Sequence, residues 1–209
     1  MAVNDPPFGN RPDGDTFKSA GFRKPGQEAL IEAPPADVIV LVPDPPRKAA
    51  WDALAYGEML RSRYQRGLRR DKSCRKVTLD LPNKTGTRIL LQAVKAGDSA
   101  FACLTTARKL AQEVRALNPG TVVVQLAGFA DHAATHIAAC QLTALLAAVC
   151  PMPDYKREPA PLAALKRIDL YGLDRQLDQT AVRADSMGNH LARWLSAMPP
   201  NELTPGRYR

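Results

Sequence analysis

From residue 36 onward, two hydrophobic rhythms alternate along the chain. "ADVIVLVP" (Ala36 to Pro43) and "TVVVQLAGF" (Thr121 to Phe129) are short, continuous, β-branched runs, the pattern of strands covered on both faces of a sheet. Between Lys48 and about Arg70 the rhythm becomes helical, with Trp51, Leu54, Ala55 and Leu60 recurring every three or four residues and arginines opposite them. "RKVTLDLP" (Arg75 to Pro82) and "TRILLQAVK" (Thr87 to Lys95) flank "NKTG", which predicts a hairpin turning at Gly86 with positive φ. Asp98 or Ser99 is placed to cap a helix through Leu117, ended by Asn118-Pro119-Gly120. Asp131 is placed to cap an alanine-rich helix that runs to about Val149 and stops at "CPMP". "LKRIDLYGL" (Leu165 to Leu173) reads as a last strand before a terminal helix from Gln179 to Met198.

This order of elements predicts an α/β domain with a mixed central sheet flanked by helices on both faces. Residues 1–35 read as a flexible arm, because six prolines and four glycines fall within the first 36 positions and few apolar side chains are left to bury. Residues 36–178 would form the domain, and 179–209 a connecting helix and the entry to another folded unit.

Composition narrows the function classes. The 209 residues, 45% hydrophobic and 24% charged, suit one packed domain of ordinary size. No unbroken apolar run approaches the ~18 residues of a membrane span, and "MAVNDPPFGN" lacks the basic-then-apolar order of a secretion signal. Cytoplasmic location without membrane attachment is therefore expected. Cys74, Cys103, Cys140 and Cys150 include no C-x-x-C pair, the spacing of separate core thiols rather than of a closed zinc site.

Three constellations bear on chemistry. His132, His136 and Cys140 recur at four-residue spacing and share one helical stripe. Ala133 and Ala134 stand where H-E-x-x-H would carry its glutamate base. A partly buried helix face is the better reading of that stripe, and no metal ligand or catalytic residue is assigned in the chain. Second, most of the +8 net charge is local: Arg61, Arg63, Arg66, Arg69, Arg70, Lys72, Arg75 and Lys76 stand against Asp71 alone between residues 61 and 76. Such a run can neutralise phosphates and so bind DNA, although a solvated helix face accounts for it as well. Tyr64 is the only aromatic within it, so a stacking platform for single strands has little support. Third, no G-x-S-x-G elbow and no glycine-rich phosphate loop is present.

The end of the chain, "NHLARWLSAMPPNELTPGRY" (Asn189 to Tyr208), resembles the domain junction of the leucyl (cytosol) aminopeptidase family, where an "LAR-x-L" helix enters "P-P-N-x-L-T-P". Leu191, Ala192, Arg193 and Leu195 match the helix; Pro199, Pro200, Asn201, Leu203, Thr204 and Pro205 match the corner. Upstream, "LTALLAAVCPMPDYKRE" (Leu142 to Glu158) is similar to the family segment in which a leucine-rich helix ends before a "Y-K" pair.

The resemblance implies an amino-terminal, macro-domain-like, non-catalytic α/β domain, cut at the junction with its catalytic neighbour, so that residues 179–209 hold the connecting helix and the start of the missing catalytic domain. It implies as partners that catalytic domain and the other subunits of a homo-oligomer, a hexamer in the family, with peptides as substrates of the parent. The parent's two divalent ions, zinc or manganese, would be held in motifs resembling "D-T-G-G", "N-M-x-x-D-M" and "N-T-D-A-E-G-R". None of these occurs here, and a two-metal hydrolysis needs such carboxylates to hold the ions. The chain by itself is therefore expected to be inactive, with no cofactor of its own. A macro-like architecture also raises an ADP-ribose or nucleotide pocket, but the glycine-rich loops such a pocket requires are not seen.

Overall fold

A computed structural model describes residues 37–153, 164–173 and 177–199. The predicted arm and the corner from Pro200 to Pro205 lie outside these residues. The elements are β1 (Asp37–Pro43), α1 (Lys48–Asp52), α2 (Gly57–Arg70), β2 (Lys76–Asp80), β3 (Arg88–Val94), α3 (Ala100–Leu117), β4 (Thr121–Leu126), α4 (Asp131–Val149), β5 (Arg167–Tyr171) and α5 (Gln179–Ala197).

The strands form one five-stranded sheet of order β2-β3-β1-β4-β5. β1 lies between β3 and β4 and is parallel to both, with Val40 opposite Leu91 on one side and Gln125 on the other. β5 extends the sheet in parallel beside β4. β2 and β3 pair antiparallel as the predicted hairpin, Val77 against Leu91, and Gly86 in the connection has φ 62°. The sheet is thus mixed, with its antiparallel pair at one edge.

Alternation along the strands divides the core in two. Ile39, Leu41, Leu90, Val122, Val124 and Leu126 face α3 and α4, with Val182 of α5 packed against the same cluster. Val38, Val40, Val42, Ile89, Leu91 and Val123 face Trp51, Leu54, Leu60 and Tyr64 of the α1–α2 segment. Both faces of the central strands are buried, which is why these strands read as continuous apolar runs rather than as alternating ones. Helices cover both faces, as the order of elements predicts.

The single helix expected from Lys48 to Arg70 is two. α1 ends at Asp52, and α2 begins at Gly57. The break brings the Gly57 backbone against the Trp51 carbonyl so closely that a Cβ there would overlap it. Trp51 and Tyr64 consequently meet under the sheet with ring centroids 5.8 Å apart. Ser99 rather than Asp98 caps α3, its hydroxyl accepting from the Ala102 N–H at 3.3 Å, and Asn118 ends that helix at φ 50°. Asp131 is the first residue of α4 and not its cap; Ala130 holds that position with no side-chain hydrogen bond.

By length and composition α4 could cross a membrane, although no unbroken apolar run marks it. Its apolarity has a local cause. α4 packs on the sheet, with α3 and α5 against it, so alanine, leucine and valine are required on three of its sides.

Candidate functional site

The basic run covers α2 and the loop after it. Tyr64 and Leu60 point inward, and Arg61, Arg63, Arg66, Arg69 and Arg70 occupy the exposed side. At about 100° per residue, Arg63, Arg66 and Arg70 share a strip roughly 60° wide, while Arg61 and Arg69 lie outside it. Among the described residues, two of the eight cations are paired with acids. The Arg75 guanidinium donates to Asp44 Oδ2 at 2.5 Å, and Lys76 Nζ lies 2.5 Å from Glu113 Oε1. The hydrogen bond to Asp44 holds the Arg75 pKa above its ordinary value. Asp71 is turned into its own loop, where its carboxylate accepts from the Ser73 N–H at 2.8 Å and the Ser73 hydroxyl at 2.7 Å. No other cation of the run makes an ion pair among the described residues.

The histidine–cysteine stripe is rearranged by packing. His132, at the exposed start of α4, stands apart. His136 and Cys140, one turn further on, are joined by Cys103 from α3. One ligand atom from each of the three lies within 4.8 Å of the others, and Cys140 Sγ is 3.9 Å from His136 Nε2. Both thiols are buried, and His136 is half-buried. The Cys103 thiol donates toward Cys140, which stabilises Cys140 as thiolate and raises Cys103 above the ordinary thiol range. This is the one group of three metal-ligating side chains among the described residues. It contains no carboxylate, so it does not fit the two-ion site of a leucyl aminopeptidase.

Sequence spacing could not have supplied Cys103. It sits on the buried stripe Cys103, Ala107, Leu110, Ala111 and Val114 of α3, and which residue of α4 it meets depends on how two helices lie across the sheet. The apolar stripe does carry one signal, that Cys103 is inward.

Beside this cluster α3, α4 and α5 enclose a groove of about 500 Å³. Arg108 and Arg115 come from α3 and Arg193 from α5, with no acid among the described lining residues. Arg193, which belongs to the matched junction helix, donates to the Ala147 carbonyl of α4 at 3.1 Å and so ties α5 to the domain. His190, one turn earlier, is fully buried, and burial followed by the charge of Arg193 lowers its pKa. α5 ends at Ala197, and Met198 is extended at ψ 137°, the conformation a following proline demands. Pro199 is half-buried.

No protein-family model matches the chain, and no curated protein matches it in sequence. Solved structures do match in shape. A tomato leucine aminopeptidase carrying K354E is similar over 94% of this chain at TM-score 0.69 and 15% identity. The present chain spans 41% of that protein's length. The macro domain of ganglioside induced differentiation associated protein 2 is similar over 86% of both chains, at TM-score 0.47 and 13% identity. The aminopeptidase likeness establishes a fold: these residues are arranged as part of a leucine aminopeptidase is arranged.

Proposed function

We propose that the chain is the amino-terminal, non-catalytic domain of a leucyl-type metalloaminopeptidase. The supporting observation is a coincidence of two independent features. The fold agrees with a part, not the whole, of a leucine aminopeptidase, and the "LAR-x-L" pattern falls on the last helix, which ends at Ala197 just before the Pro199-Pro200 pair. In this reading the parent removes amino-terminal residues from peptides in the cytoplasm with two divalent ions, zinc or manganese, held by a following domain. The present domain contributes contacts within a homo-oligomer, a hexamer by family resemblance, and shapes access to the catalytic centre. Pro199, whose ring fixes its φ, stiffens the exit from α5 toward that following domain.

Two measurements test this. The purified chain, given manganese or zinc and a chromogenic leucine amide, shows no turnover; activity that follows the chain through gel filtration would overturn the proposal. An antibody against the domain, used on an extract of the source cells, detects a product more than twice as long, in keeping with the 41% coverage, and depletes leucine-amide hydrolysis from the extract. A native product ending at Arg209 sinks the reading.

A further inference from the structure

We propose that Cys103, His136 and Cys140 bind one zinc ion across the packing of α3 on α4, with solvent as its fourth ligand. This proposal does not depend on the aminopeptidase reading. Two sulfurs and one imidazole nitrogen are the donors that select a borderline-soft ion over magnesium, calcium or manganese, which prefer oxygen. A tetrahedral zinc with bonds of about 2.3 Å to sulfur and 2.0–2.1 Å to nitrogen puts those donors about 3.6 Å apart. The observed 3.9 Å between Cys140 Sγ and His136 Nε2, and the 4.8 Å bound on the whole set, lie a small side-chain adjustment from that geometry.

The ligands are held by two elements of regular structure. His136 and Cys140 are one turn apart on α4, so their separation is set by the helix itself. Cys103 is placed by the buried stripe of α3 that it shares with Ala107 and Leu110. An ion would therefore join two helices already packed, with little backbone rearrangement.

Entry and the fourth position are also provided. Cys140 lines an open cavity of about 450 Å³ together with Thr143 of α4 and Asp185 and Asn189 of α5. Cys140 is the ligand through which the site meets that cavity, so in this proposal water and the ion enter from the Cys140 side. Three protein ligands with an open position is the arrangement of a reactive rather than a closed zinc site. The thiol protons leave to solvent as the ion binds, since the thiolate is the ligand.

The test uses the whole reduced chain. Cobalt(II), a spectroscopic stand-in for zinc, is titrated in, and the sulfur-to-cobalt charge-transfer band and the visible bands of tetrahedral cobalt are followed. Zinc is then added to displace it. One equivalent of cobalt produces both bands, and one of zinc abolishes them. Cys103→Ser, Cys140→Ser and His136→Ala each weaken zinc binding by at least about 100-fold in competition with a chromophoric chelator, the upper end of what losing even an outer partner of a ligand costs. His132→Ala and Cys74→Ser bind as the parent chain does. Should either buried cysteine variant fail to fold, the half-exposed His136→Ala and the cobalt spectrum of the unaltered chain still decide. Absence of the charge-transfer band, binding that follows His132 or Cys74, or a fully reduced chain that takes up no zinc overturns the proposal.

Discussion

Alanine at Gly172 should damage the fold far more than alanine at Gly86, although both glycines have positive φ, 82° and 62°. The left-handed conformation costs a residue with a Cβ about 1–2 kcal/mol relative to glycine. At Gly86, in the exposed hairpin connection, no atom of the described residues lies within 4 Å of the added carbon, so that cost is the whole effect. At Gly172, directly after β5, the carbon would sit 1.9 Å from the Leu126 carbonyl oxygen at the end of β4. Backbone must move by more than an ångström to restore a normal C···O distance of about 3.3 Å. Forcing extra carbon into a packed region adds about 1–3 kcal/mol, which brings Gly172→Ala to about 2–5 kcal/mol. With a urea m-value of about 2 kcal/mol/M for a domain of this size, Gly86→Ala lowers the midpoint by about 0.5–1 M and Gly172→Ala by about 1–2.5 M. Urea titration followed by far-ultraviolet circular dichroism measures both. Midpoints within about 0.2 M of one another would refute the reasoning, because the carbonyl contact would then cost nothing.

Stability should also fall on mild acidification, through His190. Its native pKa is below the ordinary 6.5 because burial, and then Arg193, disfavour the charged ring. As the pH falls below about 6.5 the unfolded chain takes up that proton before the native one does, so the stability present above that pH is progressively lost until the native pKa is passed. Urea midpoints measured between pH 7.5 and 5 should drop less for His190→Gln than for the unaltered chain, and parallel profiles would remove His190 from the account. For the proposal that the basic strip binds DNA, the unaltered chain should retain short duplex DNA on a filter at low salt, and Arg63→Ala, Arg66→Ala and Arg70→Ala combined should abolish that retention; no retention by the unaltered chain ends the proposal. Three phosphate contacts limit the slope of log affinity against log salt to about −3; undiminished retention by the triple variant would clear the strip of any such role.

Hydrophobic rhythm alone determined the kinds of element and their order. Continuous runs at β1 and β4 gave strands, recurrences of three and four gave helices, and "NKTG" gave the hairpin, because local sterics and the need to bury apolar side chains act at short range. The number of helices is an exception: Trp51, Leu54, Ala55 and Leu60 keep helical spacing across a place where the chain is not helical. Spacing is blind to the close approach of Gly57 to the Trp51 carbonyl, which comes from folding the two short helices under one face of the sheet.

Charge was legible as composition and became meaningful only as geometry. The sequence shows eight cations; tertiary contacts commit Arg75 to Asp44 and Lys76 to Glu113, from segments 31 and 37 residues away. Likewise the stripe of His132, His136 and Cys140 follows from the helix repeat, whereas the exchange of exposed His132 for buried Cys103 does not. The physical reason is the same in each case. A helix repeat fixes which side chains of one element share a face, while the neighbour that meets that face is chosen by how whole elements cross the sheet, a choice spread over the entire core and written in no single stretch of residues.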